Sequence, residues 1–455
     1  LTMENVIVSG NTTGRGGDGI GGYVKDQDGG DFFGSYEIAY VAEGGPGGSG
    51  AGISNHGIMI LENVTVTGNT PGPGGPGVGD PIKVDGFFGE YLAYPRDGVR
   101  GSGGGLGNQG ALTLRQSTVE GNSAAGPDGE VGGRSGVGGG IRNTGTLVIE
   151  DAVIAGNRGE AGGGVHAAGT ITIERSTISD NRGRTGGGVH LADGMVTIRG
   201  VTISGNRSGT GAGMHVAGGF AAIEASTISG NRTDDGLQYG GSGAGLFISD
   251  GVLTLRNSTI AKNETGEGGI RGGSGAGVFQ MAGSLRMIQS TISSNATGMG
   301  GTVSGGVGGV YAQSGSLTLE NSIIAGNHAE DGEPDFENRG ASQRLIGHNM
   351  VGGDPVLAPL GFFGGPTRTM PPYPGSPVID AGIATEDASA TDQRGYPGLV
   401  GTAPDIGAVE TRGSGYVAWA LARIPHGDDA SFDGDFNTDG ISNGMDYALT
   451  EGGAP

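Results

Sequence analysis

The chain has 455 residues, 106 of them Gly and 19 Pro, with no Cys, one Trp and a formal charge of −22. The lack of Cys excludes a disulfide scaffold and thiolate metal sites, no apolar run approaches the roughly 18 residues of a membrane span, and the acid excess with only three Lys argues against nucleic-acid binding. Gly and Pro above a quarter of a chain mean disorder unless the sequence repeats, so periodicity decides the class.

From the N-terminus, a six-residue phrase, VIVSGN, ends at Asn11. Related phrases then end at Asn69, Asn122, Asn157, Asn181, Asn206, Asn231, Asn263, Asn295 and Asn327, separated by 24 to 58 residues. A unit of about two dozen residues is therefore the bare repeat, and longer units carry insertions. The first two gaps hold insertions at 12–52 and 70–105 with matched sequences, DFFGSYEIAY and DGFFGEYLAY. Phe32, Phe33, Tyr36 and Tyr40 correspond to Phe87, Phe88, Tyr91 and Tyr94, a third of all aromatic residues. These loops read either as a small local core folded onto the flank or as a surface for self-association or ligand contact.

Each regular unit contains three short alternating segments, as in GGGVH (162–166), TITIE (170–174) and STISDN (176–181). Segments of three to five residues divided by Gly or Asn are too short for helices, and three per unit describe a coil with three faces. Stacked coils make a parallel β-helix, right-handed like nearly all parallel crossovers, with strands about 4.8 Å apart. Inward columns follow: Ile178, Ile203, Ile228, Ile260 and Ile292 on one face, and Val165, Val189, Met214, Leu246, Val278 and Val310 on another. The Asn column is expected to form a structural amide ladder at a turn, its residues suited to left-handed backbone.

Three outward lines are candidate sites. His166, His190, His215, Phe247, Phe279 and Tyr311 form a ring column, expected to stack along the axis and usable as a sugar platform, with a His-based metal site as the other reading. Arg158, Arg182, Arg207 and Arg232 can hold an acidic glycan or pair with neighbouring acids. Thr65, Thr118, Thr177, Thr202, Thr227, Thr259 and Thr291 make an exposed row that suits ice binding or merely a favoured strand composition.

The units with GGGV-H and STISGN phrases over 1–327 resemble the right-handed parallel β-helix repeat proteins of bacterial cell surfaces. Next, DPVLAPLGFFGGPTRTMPPYPGSPVIDAG (354–382), TDQRG (391–395) and DIGAVE (405–410) resemble the choice-of-anchor Q domain. That resemblance implies export and attachment at the outer surface, and no catalytic residue. The Pro-rich stretch 328–413 is expected to cap the last coil.

In 414–455, YVAWALARI (416–424) reads as a short helix. Asp435, Asn437, Asp439, Gly440, Ile441, Asn443 and Asp446 then stand at positions 1, 3, 5, 6, 7, 9 and 12 of an EF-hand-type loop, resembling a single dockerin-like calcium repeat. Ca²⁺ is the expected ligand, with Asp446 in place of the usual bidentate Glu.

Catalytic constellations find little support. Lys262 is the one Lys in the regular coils, outward acids such as Glu120, Asp180 and Asp250 fall on different lines, and no Gly-rich phrase opens a helix after a strand. The sequence therefore points to a secreted or cell-surface structural or adhesive solenoid that assembles with itself or with cell-envelope components. A lyase acting on an acidic glycan, or a polysaccharide-binding module, is the alternative.

Overall fold

The computed structural model describes residues 1–15, 19–20, 47–74, 77–78, 82–86, 89–93, 100–125, 135–300, 306–330, 332–386, 390–412, 416–424, 431, 433–435, 438 and 441–450. Among them the chain is mostly β, in three parallel sheets of eleven, ten and eleven strands, each strand pairing with its equivalent in the next unit. One sheet holds the five-residue strands such as Thr170–Glu174. A second, the Thr face, holds Thr177–Ser179 and its equivalents. A third, the ring face, holds Val165–Ala167 and its equivalents. The register puts Ile178 against Ile203 and Ile203 against Ile228, and Val165 against Val189 and Val189 against Met214.

Single left-handed residues end the strands. Asn63, Gln116, Asp151, Arg175, Ala225, Asn257, Gln289 and Asn321 have φ between 43° and 52° and follow the five-residue strands. Gly68, Gly121, Gly156, Asp180, Gly205, Gly230, Lys262, Ser294 and Gly326 are left-handed and immediately precede the ladder Asn. The left-handed role expected of the Asn column thus belongs to the residue before it, where Gly adopts φ > 0 without steric cost. A third such column lies in the Gly-rich phrases: Gly211 has φ +61°, and a Cβ there would come within 2.8 Å of the Met214 carbonyl oxygen and 2.9 Å of His215 Cβ. Gly is required at that position by conformation and by space together.

Inside, paired inward residues such as Ile171 and Ile173, or Val196 and Ile198, are buried, and one apolar core runs without a break from Ile53 to Ala341. No single coil can enclose its apolar residues, so burial depends on the neighbours above and below. The stacking continues past Asn327. Phe336–Asn338, Ser342–Ile346 and Met350–Val351 pair with Val310–Ala312, Ser316–Glu320 and Ile323–Ile324. The solenoid boundary expected at 327 therefore moves to 351.

Among the described residues, the Pro-rich region leaves the inward end of that last rung open, although His348 bonds the Ala381 carbonyl (2.7 Å) and Met350 packs beside Val378 and Ile406. Leu345 on that rung is 60% exposed. Residues 354–412 lie instead along the Thr face, where Val378 and Ile406 pack on Ile323 and Ala325. The reason is polar as well as apolar. Gln393 Nε2 donates to Thr227 Oγ1 (3.0 Å) and to the Ser226 carbonyl (3.1 Å), Thr259 Oγ1 donates to Gln393 Oε1 (2.6 Å), and the Ala408 amide donates to Thr291 Oγ1 (3.1 Å). Thr227, Thr259 and Thr291, expected to be exposed, are buried beneath this flank. Helix α1 (Tyr416–Arg423) docks Trp419 and Leu421 against Phe363 and Tyr373, and Trp419 meets Tyr447 of α2 (Asn443–Thr450) at 5.6 Å between ring centroids.

Candidate functional site

Each Asn of the ladder from Asn69 to Asn295 is fully buried and donates from Nδ2 to the Oδ1 of the next at 2.9–3.0 Å. Asn11 joins at one end (2.8 Å), and at the other Asn327 donates to Asp335 Oδ1 (2.9 Å). The backbone amide of each donates to the same oxygen, as from Asn181 to Asn206 Oδ1 (3.0 Å), and the second Nδ2 hydrogen reaches a carbonyl of the preceding rung, as from Asn206 to Ile178 (3.0 Å). Every polar atom of a buried amide is thereby satisfied. A second ladder, Asn55–Asn108–Asn143 (2.7 and 2.6 Å), is not among the columns expected from the repeat, although the phrases ISN, LGN and IRN carry it.

The six rings of the ring face do form one column, with centroids 4.9–5.4 Å apart. His166 stacks on His190, Phe247 on Phe279 and Phe279 on Tyr311, while His215 meets His190 and Phe247 edge-on. They are not an open platform: His190, His215, Phe247 and Tyr311 are each below 10% exposed. Burial lowers His190 to about 4; burial together with the neighbouring His190 charge lowers His166 to about 4 and His215 to about 3, with Arg142 adding to the effect on His166. At neutral pH all three are uncharged rings, which favours the stack over a cationic role.

Along the Arg line, Arg158, Arg182, Arg207 and Arg232 follow one another in register. Acids from the next loops reach back to it. Arg207 Nε donates to Asp234 (2.6 Å), and Arg232 pairs with Asp235 and Glu264 (both 3.1 Å). These exposed pairs contribute little stability each, but they offset the like-charge repulsion of the row.

Where the flank meets the rungs, a groove of about 250 Å³ opens. Its rung side presents Glu174, Arg175, Arg199 and Glu224, and its flank side Thr391 and Asp392. Arg175 is held by Asp151 (2.9 Å) and Glu174 (2.8 Å). Arg199 and Glu224, adjacent in register, make no ion pair among the described residues. Repetition in the sequence does not flag this line, because its outward positions change sign from one rung to the next. Its alternating charges offer a surface on which a polar ligand can lie.

Beside it, the TDQRG and DIGAVE residues knit the flank together. Arg394 donates from Nη2 to Asp392 (2.6 Å) and to the Glu410 carbonyl (2.6 Å), all buried. The Glu410 carboxylate accepts the Val400 and Asp405 amides (2.7 and 2.8 Å), yet burial, ahead of the Asp405 and Asp380 charges, pushes it up to about 7. Burial likewise raises Asp405. These groups act as interior ties.

Of the expected calcium ligands, Asp435, Ile441 and Asn443 are described; Asn437 and Asp439 lie outside the described residues, as does the Asp446 side chain. The Asn443 amide donates to the Gly434 carbonyl (2.7 Å) and its Nδ2 to the Ser431 carbonyl (2.9 Å), which draws Ser431 and Gly434 to the start of α2. Among the described residues no three His, Cys, Asp or Glu side chains converge. Phe32, Phe33, Tyr36, Tyr40, Phe87, Phe88 and Tyr94 lie outside the described residues. Tyr91 sits in a strand, Gly89–Ala93, paired antiparallel with Ile82–Gly86.

No helix of the described residues is long and apolar enough to cross a membrane. No family model matches the chain and no curated protein matches it, so the anchor-like reading of 354–410 rests on its residues alone. Among solved structures, the chain is similar to the crystal structure of pectate lyase Pel9A, at 14% identity and a TM-score of 0.32, over 80% of this chain and 90% of that one.

Proposed function

We propose that this protein is a secreted, cell-surface structural or adhesive solenoid, its coils right-handed as parallel crossovers almost always are. One observation carries the reading: the repeated outward columns are engaged within the molecule. Rings stack on rings, Arg232 pairs with Asp235 and Glu264, and the Thr row from Thr227 to Thr291 lies beneath the flank. Repetition of that kind maintains a long, stiff shape, and the anchor-like flank gives it a means of attachment. Ca²⁺ in the 435–446 loop would hold the tail. Chelation should then lower the melting temperature, and Asp435→Ala should remove that sensitivity; a chelator without effect would refute the calcium assignment.

Self-association into a filament or layer belongs to the same proposal. Negative-stain imaging over a concentration series should show joined rods, whereas dispersed single rods at every concentration would contradict it. A second reading, glycan contact, is favoured by Arg199 and Glu224, which face the groove without ion-pair partners among the described residues. Neutral and acidic oligosaccharides on an array should bind the chain and lose signal in Arg199→Ala. An unchanged signal would remove the groove from consideration.

A further inference from the structure

A second cleft, of about 340 Å³, lies between α1 and the flank. Its walls include Pro372, Pro374, Ile379, Val409, Val417 and Leu421. Three prolines on one wall, Pro371 being the third, remove the backbone N–H groups that would otherwise make that wall polar. That wall offers no proline N–H donor and its side chains are mostly apolar, and the cleft's size falls within the usual range for small-molecule sites.

Its polar lining is Arg394, Thr411 and Arg412. The first is neutralised by Asp392 and the second is tied through its amide to Asp405 (2.6 Å). Arg412 differs. Its guanidinium stacks over the Tyr396 ring at 4.3 Å, makes no ion pair among the described residues, and has a buried Nε without a hydrogen-bond partner. Arg412 is thus, among the described residues, a cation without an acid beside an apolar cleft, in a chain of charge −22.

We infer that this cleft binds a small monocarboxylic acid with an apolar body, its carboxylate on Arg412 and its body against the proline wall and Leu421. A guanidinium fixed by stacking has less freedom to lose on pairing, and its planar fork fits a carboxylate. The volume accommodates roughly ten to fifteen non-hydrogen atoms.

The test is a calorimetric titration of the full chain with 4-phenylbutyrate and, in parallel, with 4-phenylbutanol. The acid should bind saturably at one site and the alcohol at least tenfold more weakly. Arg412→Met should reduce affinity for the acid at least tenfold, Leu421→Trp should abolish binding by filling the cleft, and Arg423→Met, which alters a cation stacked on Trp419 instead, should leave it unchanged. Equal binding of acid and alcohol to the unmodified chain, or no saturable binding of either, overturns the inference even if Arg412→Met fails to fold. Undiminished binding to a folded Arg412→Met does so as well.

Discussion

A buried amide in the middle of a ladder has no solvent to fall back on. Asn206 Oδ1 accepts both the backbone and side-chain N–H groups of Asn181, at 3.0 Å each. Asn206→Ala strands those donors at no gain, so we expect a loss of about 3 kcal/mol in urea unfolding, against less than about 1 kcal/mol for Asn11→Ala at the exposed end. Similar values for the two would contradict the ladder's role. The histidines behave differently because their neighbours along the column are rings, with a hydrogen bond between His215 Nε2 and Ser249 Oγ (2.9 Å) besides. With folded values near 4 for His166 and His190 and near 3 for His215, against 6.5 ordinarily, protons bind the unfolded chain more readily. Stability from these rings is complete above pH 6.5 and is lost as pH falls through about 4 and then 3. His190→Phe keeps the stack and removes one titration, so its melting temperature should fall less between pH 7 and pH 4 than that of the unmodified chain. The repeat makes both columns visible in the sequence. It does not reveal that four of the six rings are buried, because alternation records which side of a strand a residue takes and not how exposed that side is.

The five-residue strands and those of the Thr face are short because a left-handed residue follows each, and the left-handed Gly columns differ in tolerance. Gly10 (φ +64°) has open space where a Cβ would go, whereas Gly211 (φ +61°) does not. Gly10→Ala should cost about 1 kcal/mol and Gly211→Ala about 3 kcal/mol or more, read from thermal unfolding. Equal costs would mean that conformation alone sets the requirement. The flank is held to the rungs through Gln393, whose Nε2 and Oε1 reach Thr227 and Thr259. Gln393→Ala should raise hydrogen exchange across 354–412 while protection in the five-residue strands persists; uniform loss would show that flank and solenoid unfold as one unit. Period-2 alternation makes the three faces legible in the sequence. The last rung is not legible there because it lacks the closing Asn: Asp335 ends the ladder, and the strand Met350–Val351 is followed by left-handed Gly352 and Gly353 and then Asp354. Lateral docking is hidden for another reason. Thr on an exposed strand and Thr under a docked segment are the same letter, and only Gln393 and Ala408, more than 100 residues away, distinguish them.

At the scale of the whole molecule, stacked rungs give length and the docked flank gives breadth. The polar columns that a solenoid repeats most regularly are consumed in cohesion: amide on amide, ring on ring, guanidinium on carboxylate. A catalyst on such a frame needs a few irregular, unpaired groups around one groove. Arg199 and Glu224 are the charges there without an ion pair among the described residues, while the Glu174 carboxylate holds Arg175. On the proposed reading, the groove would hold a glycan rather than cleave it, and the chain's net negative charge would disfavour a polyanion there. The most direct measurement is incubation of the chain, with calcium present, on a panel of pectic, uronate and neutral polysaccharides, following ultraviolet absorbance from unsaturated products together with new reducing ends. We predict that neither signal rises above that of the buffer; steady release from any one polysaccharide, lost in Arg199→Ala, would contradict the account.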